Sequence, residues 1–159
     1  MNQMGILERR RLEAALLKHV YEVIAARSGE EEARAVIGTA VSKAAIEHGR
    51  SMADDLGRAP DFDDFLAIMP LWTKDDALQI EVLDSGPDRL DFNVTRCRYA
   101  EMYREMGLGD IGHLLSCNRD GDFCIGYNPD MTLDRSQTIM QGASHCNFRY
   151  RMADAPGRD

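Results

Sequence analysis

The stretch that decides the fold runs from residue 78 to residue 95 and reads LQIEVLDSGPDRLDFNVT. Apolar and polar residues alternate on both sides of the turn sequence Ser85-Gly86-Pro87-Asp88. Alternation with a period of two is typical of strands that bury one face, and turn residues between two such runs indicate a hairpin. The stretch therefore predicts two half-buried antiparallel strands.

Two long amphipathic helices are predicted before the hairpin, over residues 3–27 and 30–56. Ser28-Gly29 separates them, and three glutamates, 30 to 32, place negative charge where the macrodipole of the second helix favours it. The alanines of the second helix indicate close helix packing. A short third helix follows Pro60-Asp61 and ends at Pro70. The predicted buried faces are Ile6, Leu12, Leu16, Leu17, Val20, Val23 and Ile24 in the first helix, and Val36, Ile37, Ala40, Val41, Ala44, Ala45 and Met52 in the second.

The chain after the hairpin is predicted to hold further short elements. We expect a helix over 98–106, a short helix within 116–127 that ends at Gly126, and strands over 131–140 and 146–152. Helices that come first and antiparallel strands that follow predict an α+β fold, with N-terminal helices packed on one face of a four-stranded antiparallel sheet. We expect a single domain over 1–153 and a polar C-terminal tail over 154–159.

Composition narrows the possible partners. The chain has 159 residues, 44% of them hydrophobic and 29% charged, which fits one domain with one sizeable core. Its formal charge is −8 without a dense basic run, so nucleic acid is not an expected partner. No stretch approaches the ~20 apolar residues of a membrane span, and the first eight residues lack the apolar region of a signal peptide. We expect no membrane partner and a cytoplasmic location.

The four cysteines, at positions 97, 117, 124 and 146, are expected to be reduced thiols, because nothing in the chain indicates secretion. They contain no Cys-x-x-Cys pair, the spacing that makes a zinc site a strong prediction. We therefore expect no cofactor. A zinc site built from Cys97, Cys117, Cys146 and His145 stays open as an alternative.

Cys117 and Asp120 are the first candidates for chemistry. If a helix begins at Cys117, its sulfur lies near unpaired backbone N–H groups, which lower the pKa of a thiol. We predict that Cys117 is the reactive thiol and that Asp120 carries protons beside it. The alternatives are a core cysteine at the end of an apolar run and an aspartate that caps the first helical turn.

The remaining candidates lie at the ends of strands. Strand alternation places Cys146 on the face opposite His145, unless His145 belongs to a loop; packing is the alternative for Cys146. On a helix that begins at Cys97, Glu101 lies four residues away on the same face, with Tyr99 between them. We predict that Cys97, Cys117 and Cys146 line one cavity between the sheet and the 98–127 segment. Asn128, before Pro129, is predicted to be structural.

Four pieces of sequence, in order along residues 78–150, resemble one known family. They are Thr95-Arg96-Cys97-Arg98-Tyr99-Ala100-Glu101, Met106-Gly107-Leu108 with Gly112, Cys117 and Asp120 followed by Gly126-Tyr127-Asn128-Pro129, and Thr138, Gly142, Cys146 and Phe148. This pattern is similar to that of the L-2-amino-thiazoline-4-carboxylic acid hydrolase family. The chain departs from it at Arg98, where proline is usual, and in the charged run Arg119-Asp120-Gly121-Asp122.

The resemblance implies a hydrolase that opens a small cyclic amidine or amide ring by C–N bond cleavage. Water or an enzyme nucleophile attacks the electrophilic carbon of the ring. The catalytic residues would be Cys117, Asp120 and Cys146, since thiols attack such carbons and carboxylates carry protons. The substrate-binding residues would be Cys97, Tyr99, Glu101 and His145.

Two other classes of protein remain open. One is a non-enzymatic domain that binds a small ligand or senses a metal, for which the same helices, sheet and cysteines are equally suitable. The other is a subunit that forms a homo-oligomer through the helices over 3–27 and 30–56. An apolar patch left exposed on these helices would favour the second possibility.

Overall fold

The structure is a computed structural model that describes residues 4–153. It confirms the α+β prediction, and the predicted tail lies outside the described residues. The helices are α1 (Ile6–Ser28), α2 (Glu30–Leu56), α3 (Phe62–Ile68), α4 (Pro70–Thr73), α5 (Arg98–Glu105) and α6 (Arg119–Tyr127). The strands are β1 (Leu78–Ser85), β2 (Arg89–Cys97), β3 (Met131–Asp134) and β4 (Cys146–Met152). None of the helices in these residues is long and apolar enough to cross a bilayer.

The hairpin alternation produces a sheet with one buried face. The four antiparallel strands lie in the order β1-β2-β4-β3. On β2 and β4 the inward residues are paired, with Phe92 opposite Phe148 and Val94 opposite Cys146. The rings of Phe92 and Phe148 stack with centroids 4.8 Å apart. Val82 on the edge strand β1 is 55% exposed, contrary to the alternation, although it lies opposite the inward residue Phe92.

The predicted strand over 131–140 is wrong beyond Asp134. The side-chain oxygen of Asn147 accepts hydrogen bonds from the backbone N–H groups of Ser136 (3.1 Å) and Gln137 (3.0 Å). These donors are therefore unavailable to a strand ladder. The chain leaves the sheet and forms a 3₁₀ turn over Ile139–Gln141, which brings this segment back toward the first residue of β4.

The predicted buried face of α1 is largely wrong. The side chains buried on this helix are Ile6, Arg10 and Ala14, which follow one another at intervals of four residues. Leu17 continues that face as a partly buried residue. The apolar residues that lie exposed instead are Leu12, Leu16, Val20 and Val23. The helix thus has a second apolar stripe that faces outward.

Helix α2 divides in the same way. Ile37, Val41 and Ala45 face the core as predicted, whereas Val36, Ala40 and Ala44 are exposed. The predicted buried face of α2 therefore consists of two stripes, one that faces the core and one that faces outward. Together, the exposed residues of the two helices, Leu12, Leu16, Val20, Val23, Val36, Ala40 and Ala44, are called the outer stripe below.

Helix α6 packs on α2 with the two backbones in contact. A side chain at Gly126 would place its Cβ 1.9 Å from the carbonyl oxygen of Ile46, and one at Gly49 would place it 2.2 Å from that of Phe123. Only glycine allows this approach. The predicted close packing of α2 is confirmed, but the residues that make it possible are glycines rather than alanines.

The predicted short helix within 116–127 is confirmed with different bounds. A π-helical turn covers His113–Cys117, and α6 then runs to Tyr127, one residue past the predicted end at Gly126. Gly126 does not end the helix because it lies at the contact with α2.

Asn128 ties the end of α6 to the start of α3. Its side-chain N–H donates to the carbonyl of Pro60 at 2.7 Å, and its side-chain oxygen accepts from the N–H of Asp130 at 3.0 Å. The residue is buried. A buried amide with both ends bonded to backbone fixes two loops, which supports the structural role predicted for Asn128.

We expect Gly126→Ala to destabilise the protein by about 1–3 kcal/mol, because the new methyl group collides with the backbone of α2. Gly121→Ala is the matched control on the same helix, since no atom lies within 4 Å of its Cβ position. That change should be neutral or stabilising by up to about 1 kcal/mol through helix propensity. The measurement is the denaturant midpoint of each variant. Equal midpoints would show that α2 and α6 are not in backbone contact.

We expect Asn128→Ala to lower the free energy of unfolding by about 0.5–2 kcal/mol, as for other lost bonds between side chain and backbone. Asn128→Asp keeps the acceptor for Asp130 but sets a carboxylate oxygen against the Pro60 carbonyl, so it should destabilise the protein more than Asn128→Ala does. Activity of the folded variants should persist. An unchanged melting temperature with abolished activity would assign Asn128 to catalysis instead.

Candidate functional site

A cavity lies between the buried face of the sheet and the helices above it. It has two lobes that share one wall. The thiol lobe, of about 70 Å³, is lined by Cys97, Cys117 and Cys146 among others; the aromatic lobe, of about 60 Å³, is lined by His48, Phe65 and Phe123 among others. The shared wall consists of Arg10, Trp72, Leu78, Val94, Arg119, Asp120 and Phe148. Each lobe exceeds the ~10–15 Å³ that one water needs, so each has space for more than a single water.

The three cysteines reach the thiol lobe from distant parts of the chain, which confirms the predicted shared cavity. Cys97 ends β2 and caps α5, where its Sγ accepts from the N–H of Ala100 at 3.4 Å. Cys146 begins β4, and its Sγ accepts from the N–H of Ile139 at 3.2 Å. Cys117 ends the π-helical turn. Cys124 is buried elsewhere, and all four are free thiols.

The thiols of this lobe are neutral near pH 7. Burial raises the pKa of Cys117 to about 12 and that of Cys97 to about 11, and it also raises the pKa of Cys146. The prediction of a lowered pKa at Cys117 is therefore wrong. Asn118 is the N-cap of α6, so Cys117 lies outside the first turn, and the charge of Asp120 further disfavours a thiolate.

Asp120 does not cap a helix; it is held by Arg135. The Arg135 guanidinium donates to Asp120 Oδ2 at 2.7 Å and to the carbonyl of Cys117 at 2.8 Å. It also lies over the ring of Phe148, 4.9 Å from the centroid. Burial raises the pKa of Asp120, and Arg135 opposes that rise. Arg135 therefore fixes both the carboxylate and the backbone of the cysteine beside the lobe.

Two more arginines line both lobes. Arg10 and Arg119 are 5% and 8% exposed, and neither was predicted as a site residue. Glu13 joins them, with Oε1 3.1 Å from Arg10 Nη1 and Oε2 2.8 Å from Arg119 Nη2. With Arg135, the cavity region has three guanidinium groups against the carboxylates of Glu13 and Asp120, so the excess charge is positive.

Two predicted substrate-binding residues lie away from the cavity. Glu101 pairs with Arg96 at 3.1 Å on the surface instead of meeting Cys97. His145 precedes β4 and bonds with Ser144 (2.9 Å) and Gln137. The strand alternation that places Cys146 inside turns its sequence neighbours, His145 and Asn147, outward. Within residues 4–153, no three His, Cys, Asp or Glu side chains are arranged to hold a metal ion.

Tyr99 lines the thiol lobe as predicted, and its hydroxyl donates to the carbonyl of Trp72 at 2.9 Å. The sequence departs from the family pattern at Arg98 and in the charged run that begins at Arg119. Arg119 lines the cavity. Arg98 does not; it donates to the carbonyl of Asp75 at 2.7 Å.

Sequence reasoning missed Arg10, His48 and Trp72. A signal for the first two was present in the helix periodicity. Arg10 lies four residues after Ile6 on the buried face of α1, and His48 follows Ala45 by three on that of α2. A charged or titratable residue in a buried register usually has a partner or a function. Trp72 is the single tryptophan of the chain and had no periodic signal.

Comparisons with known proteins agree with this fold. The sensory domain of the transcription activator PoxR, solved with phenol and described as phenol-responsive, matches with a TM-score of 0.55 at 12% identity, over 87% of this chain and 73% of that one. A trafficking protein particle complex subunit 3 from Naegleria fowleri, solved covalently bound to palmitic acid, matches with a TM-score of 0.55 at 11% identity, over 92% and 96%. At these identities the likeness concerns the fold alone.

A search of curated proteins found no match. The family model of L-2-amino-thiazoline-4-carboxylic acid hydrolase matches residues 9–150, which include the cavity side chains from Arg10 to Tyr150. The four resembling pieces of sequence all fall inside this range. The chain belongs to the L-2-amino-thiazoline-4-carboxylic acid hydrolase family.

Proposed function

We propose that this protein is a cytoplasmic hydrolase that opens a small cyclic amidine or amide by C–N bond cleavage, and that the thiol lobe is its active site. The observation that carries the proposal is the convergence of Cys97, Cys117, Cys146 and Asp120 on one cavity. These residues come from four separate elements of the fold: β2, the π-helical turn, α6 and β4. Thiols able to attack an electrophilic carbon and a carboxylate able to move a proton are what the reaction requires.

Neutral thiols determine how the reaction would begin. Because the pKa of Cys117 is about 12, a thiolate has to form as the attack occurs. Asp120 takes the proton from Cys117 while the sulfur bonds to the ring carbon. The ring C–N bond then breaks, and the nitrogen leaves with that proton. Water releases the product from the sulfur and restores the thiol, with Asp120 again carrying the proton.

Cys146 is the second candidate nucleophile. The N–H of Ile139 donates to its sulfur at 3.2 Å, and this bond favours the thiolate. Arg135, which also favours the charged sulfur, faces the same lobe. Cys97 and Tyr99 would shape the part of the lobe that holds the ring.

The charges of the cavity favour an anionic substrate. Arg10 and Arg119 are buried and share a single carboxylate, that of Glu13. A substrate carboxylate would supply a second anion for these two cations. The family name specifies a carboxylic acid, and 2-amino-thiazoline-4-carboxylate is therefore the first compound to test.

A non-enzymatic role in binding a small ligand is the second candidate. The aromatic lobe favours it, because that lobe is lined mainly by apolar side chains and contains none of the three cysteines of the thiol lobe. Both similar structures hold a small molecule, phenol in one and covalently bound palmitic acid in the other. A protein that binds such molecules without opening any ring would fit this role.

We also propose that a second copy of the chain covers the outer stripe. This stripe runs along both N-terminal helices, with Leu16 67% exposed and Leu12 58% exposed. Because the same surface would occur on both copies, two stripes can pair about a twofold axis. Their burial would remove the largest exposed apolar side chains of α1 from water.

We expect the wild-type protein to hydrolyse 2-amino-thiazoline-4-carboxylate and Asp120→Asn to lose roughly 10²- to 10⁴-fold in kcat, the range for one acid–base group. Wild-type activity should fall as the pH drops through the raised pKa of Asp120, because the protonated carboxyl cannot accept a proton. The measurement is the rate of product formation against pH. A newly formed amine would identify C–N cleavage, and a free thiol would identify C–S cleavage instead.

Cys124→Ser is the matched control for the thiols, since Cys124 is buried outside the lobe. Cys117→Ser should lose activity and Cys124→Ser should keep it. If Cys117→Ser were fully active and Cys146→Ser inactive, Cys146 would be the nucleophile. Full activity in Asp120→Asn would refute the proposed role of the carboxylate.

We expect Leu16→Glu to convert a dimer into a monomer, because it places a charge within the contact between two copies. Ile125→Glu is the control, since Ile125 is an exposed apolar residue (55%) on a different helix. Light scattering after size exclusion measures the mass of each variant. A wild-type monomer, or a dimer that survives Leu16→Glu, would refute this interface.

A further inference from the structure

None of the three cysteines of the proposed hydrolysis lines the aromatic lobe. This lobe lies beyond the shared wall, away from the three cysteines, between rings from the helices and rings from the sheet. A void that remains unfilled in a core costs stability, because its lining loses contacts. A ligand that fills the void regains those contacts.

Three rings form the helical side of this lobe. His48 stacks on Trp72 with centroids 5.9 Å apart, and Phe123 meets each of them edge-on with centroids 5.5 Å apart. The sheet side holds Phe92 and Phe148, which stack on each other. Aromatic side chains on both sides favour a planar aromatic guest, since ring pairs gain attraction beyond the area that they bury.

Among the rings on the helical side, His48 supplies the polar group; the charged Arg10, Arg119 and Asp120 belong to the wall shared with the thiol lobe. Burial and the nearby arginines lower the pKa of His48 to about 4, so the imidazole is neutral at physiological pH. A neutral imidazole has one N–H donor and one acceptor nitrogen. Within residues 4–153 neither nitrogen hydrogen-bonds to a protein group; the ring contacts of His48 are aromatic. Both nitrogens are therefore available to a ligand.

We propose that the aromatic lobe is a second binding site, which takes a small uncharged aromatic molecule with one hydroxyl group bonded to His48. A hydroxyl both donates and accepts, as a neutral imidazole does. The volume of about 60 Å³ excludes a guest larger than a single ring. This site shares a wall with the thiol lobe but uses none of the three cysteines proposed for ring opening.

Isothermal titration with phenol, toluene and cyclohexanol tests the proposal. Phenol has both the aromatic ring and the hydroxyl, toluene lacks the hydroxyl, and cyclohexanol lacks the aromatic ring. Phenol should bind most tightly of the three. Titration of phenol should also change the fluorescence of Trp72, the single tryptophan, and should give the same dissociation constant. Absence of phenol binding, or equal affinities for phenol and cyclohexanol, would overturn the proposal.

One pair of variants and one single variant locate the site. Ala45→Leu fills the lobe and should weaken phenol binding roughly tenfold or more. Ala44→Leu, on the exposed side of α2, should leave it unchanged. If Ala45→Leu does not fold, His48→Phe provides the second test, because it should weaken phenol binding roughly three- to tenfold and leave toluene binding unaltered.

If Ala45→Leu and Ala44→Leu changed the affinity for phenol equally, the ligand would bind elsewhere. The same conclusion would follow if His48→Phe lowered the affinities for phenol and toluene equally. Binding is measured without an amidine substrate. A protein that binds phenol and opens no ring would support this second site and refute the proposed hydrolase. A protein that opens the ring and binds no phenol would support the proposed hydrolase and refute this second site.

Discussion

The backbone contact between α2 and α6 is the constraint on which the cavity depends. Gly49 and Gly126 let the two helices approach until backbone atoms touch. Asp120 and Phe123 on α6 and His48 on α2 then face the same space above the sheet. If a methyl group held α6 farther from α2, the Asp120 carboxylate and the Phe123 ring would both be displaced. The positions of both lobes are thus fixed by main chain rather than by long side chains.

Burial decides the chemistry available inside this cavity. The same surroundings keep the thiols protonated, raise the pKa of Asp120 and lower the pKa of His48. A neutral thiol beside a carboxylate suits an attack in which the proton moves as the bond forms. A neutral imidazole among aromatic rings suits recognition of an uncharged guest. The shared wall, with Arg10 and Arg119, separates these two environments and provides the positive charge.

Local patterns in the sequence predicted the elements and the meeting of the three cysteines. The hairpin alternation was sufficient for β1 and β2, and strand alternation placed Cys146 inside. What could not be predicted depends on tertiary contacts. Periodicity could not say which of two apolar stripes on α1 faces the core, nor that Asn147 would bind the chain after β3. The shift in the pKa of Cys117 was predicted with the wrong sign because its burial is invisible in local sequence and because α6 begins after Cys117.

A crystal structure of the Asp120→Asn protein with 2-amino-thiazoline-4-carboxylate tests most directly whether the thiol lobe is the active site. The ring should lie in that lobe with its amidine carbon beside the sulfur of Cys117, and the carboxylate should lie on Arg10 and Arg119. A ligand bound outside the cavity, or with its ring in the aromatic lobe and away from all three cysteines, would contradict the proposed hydrolase.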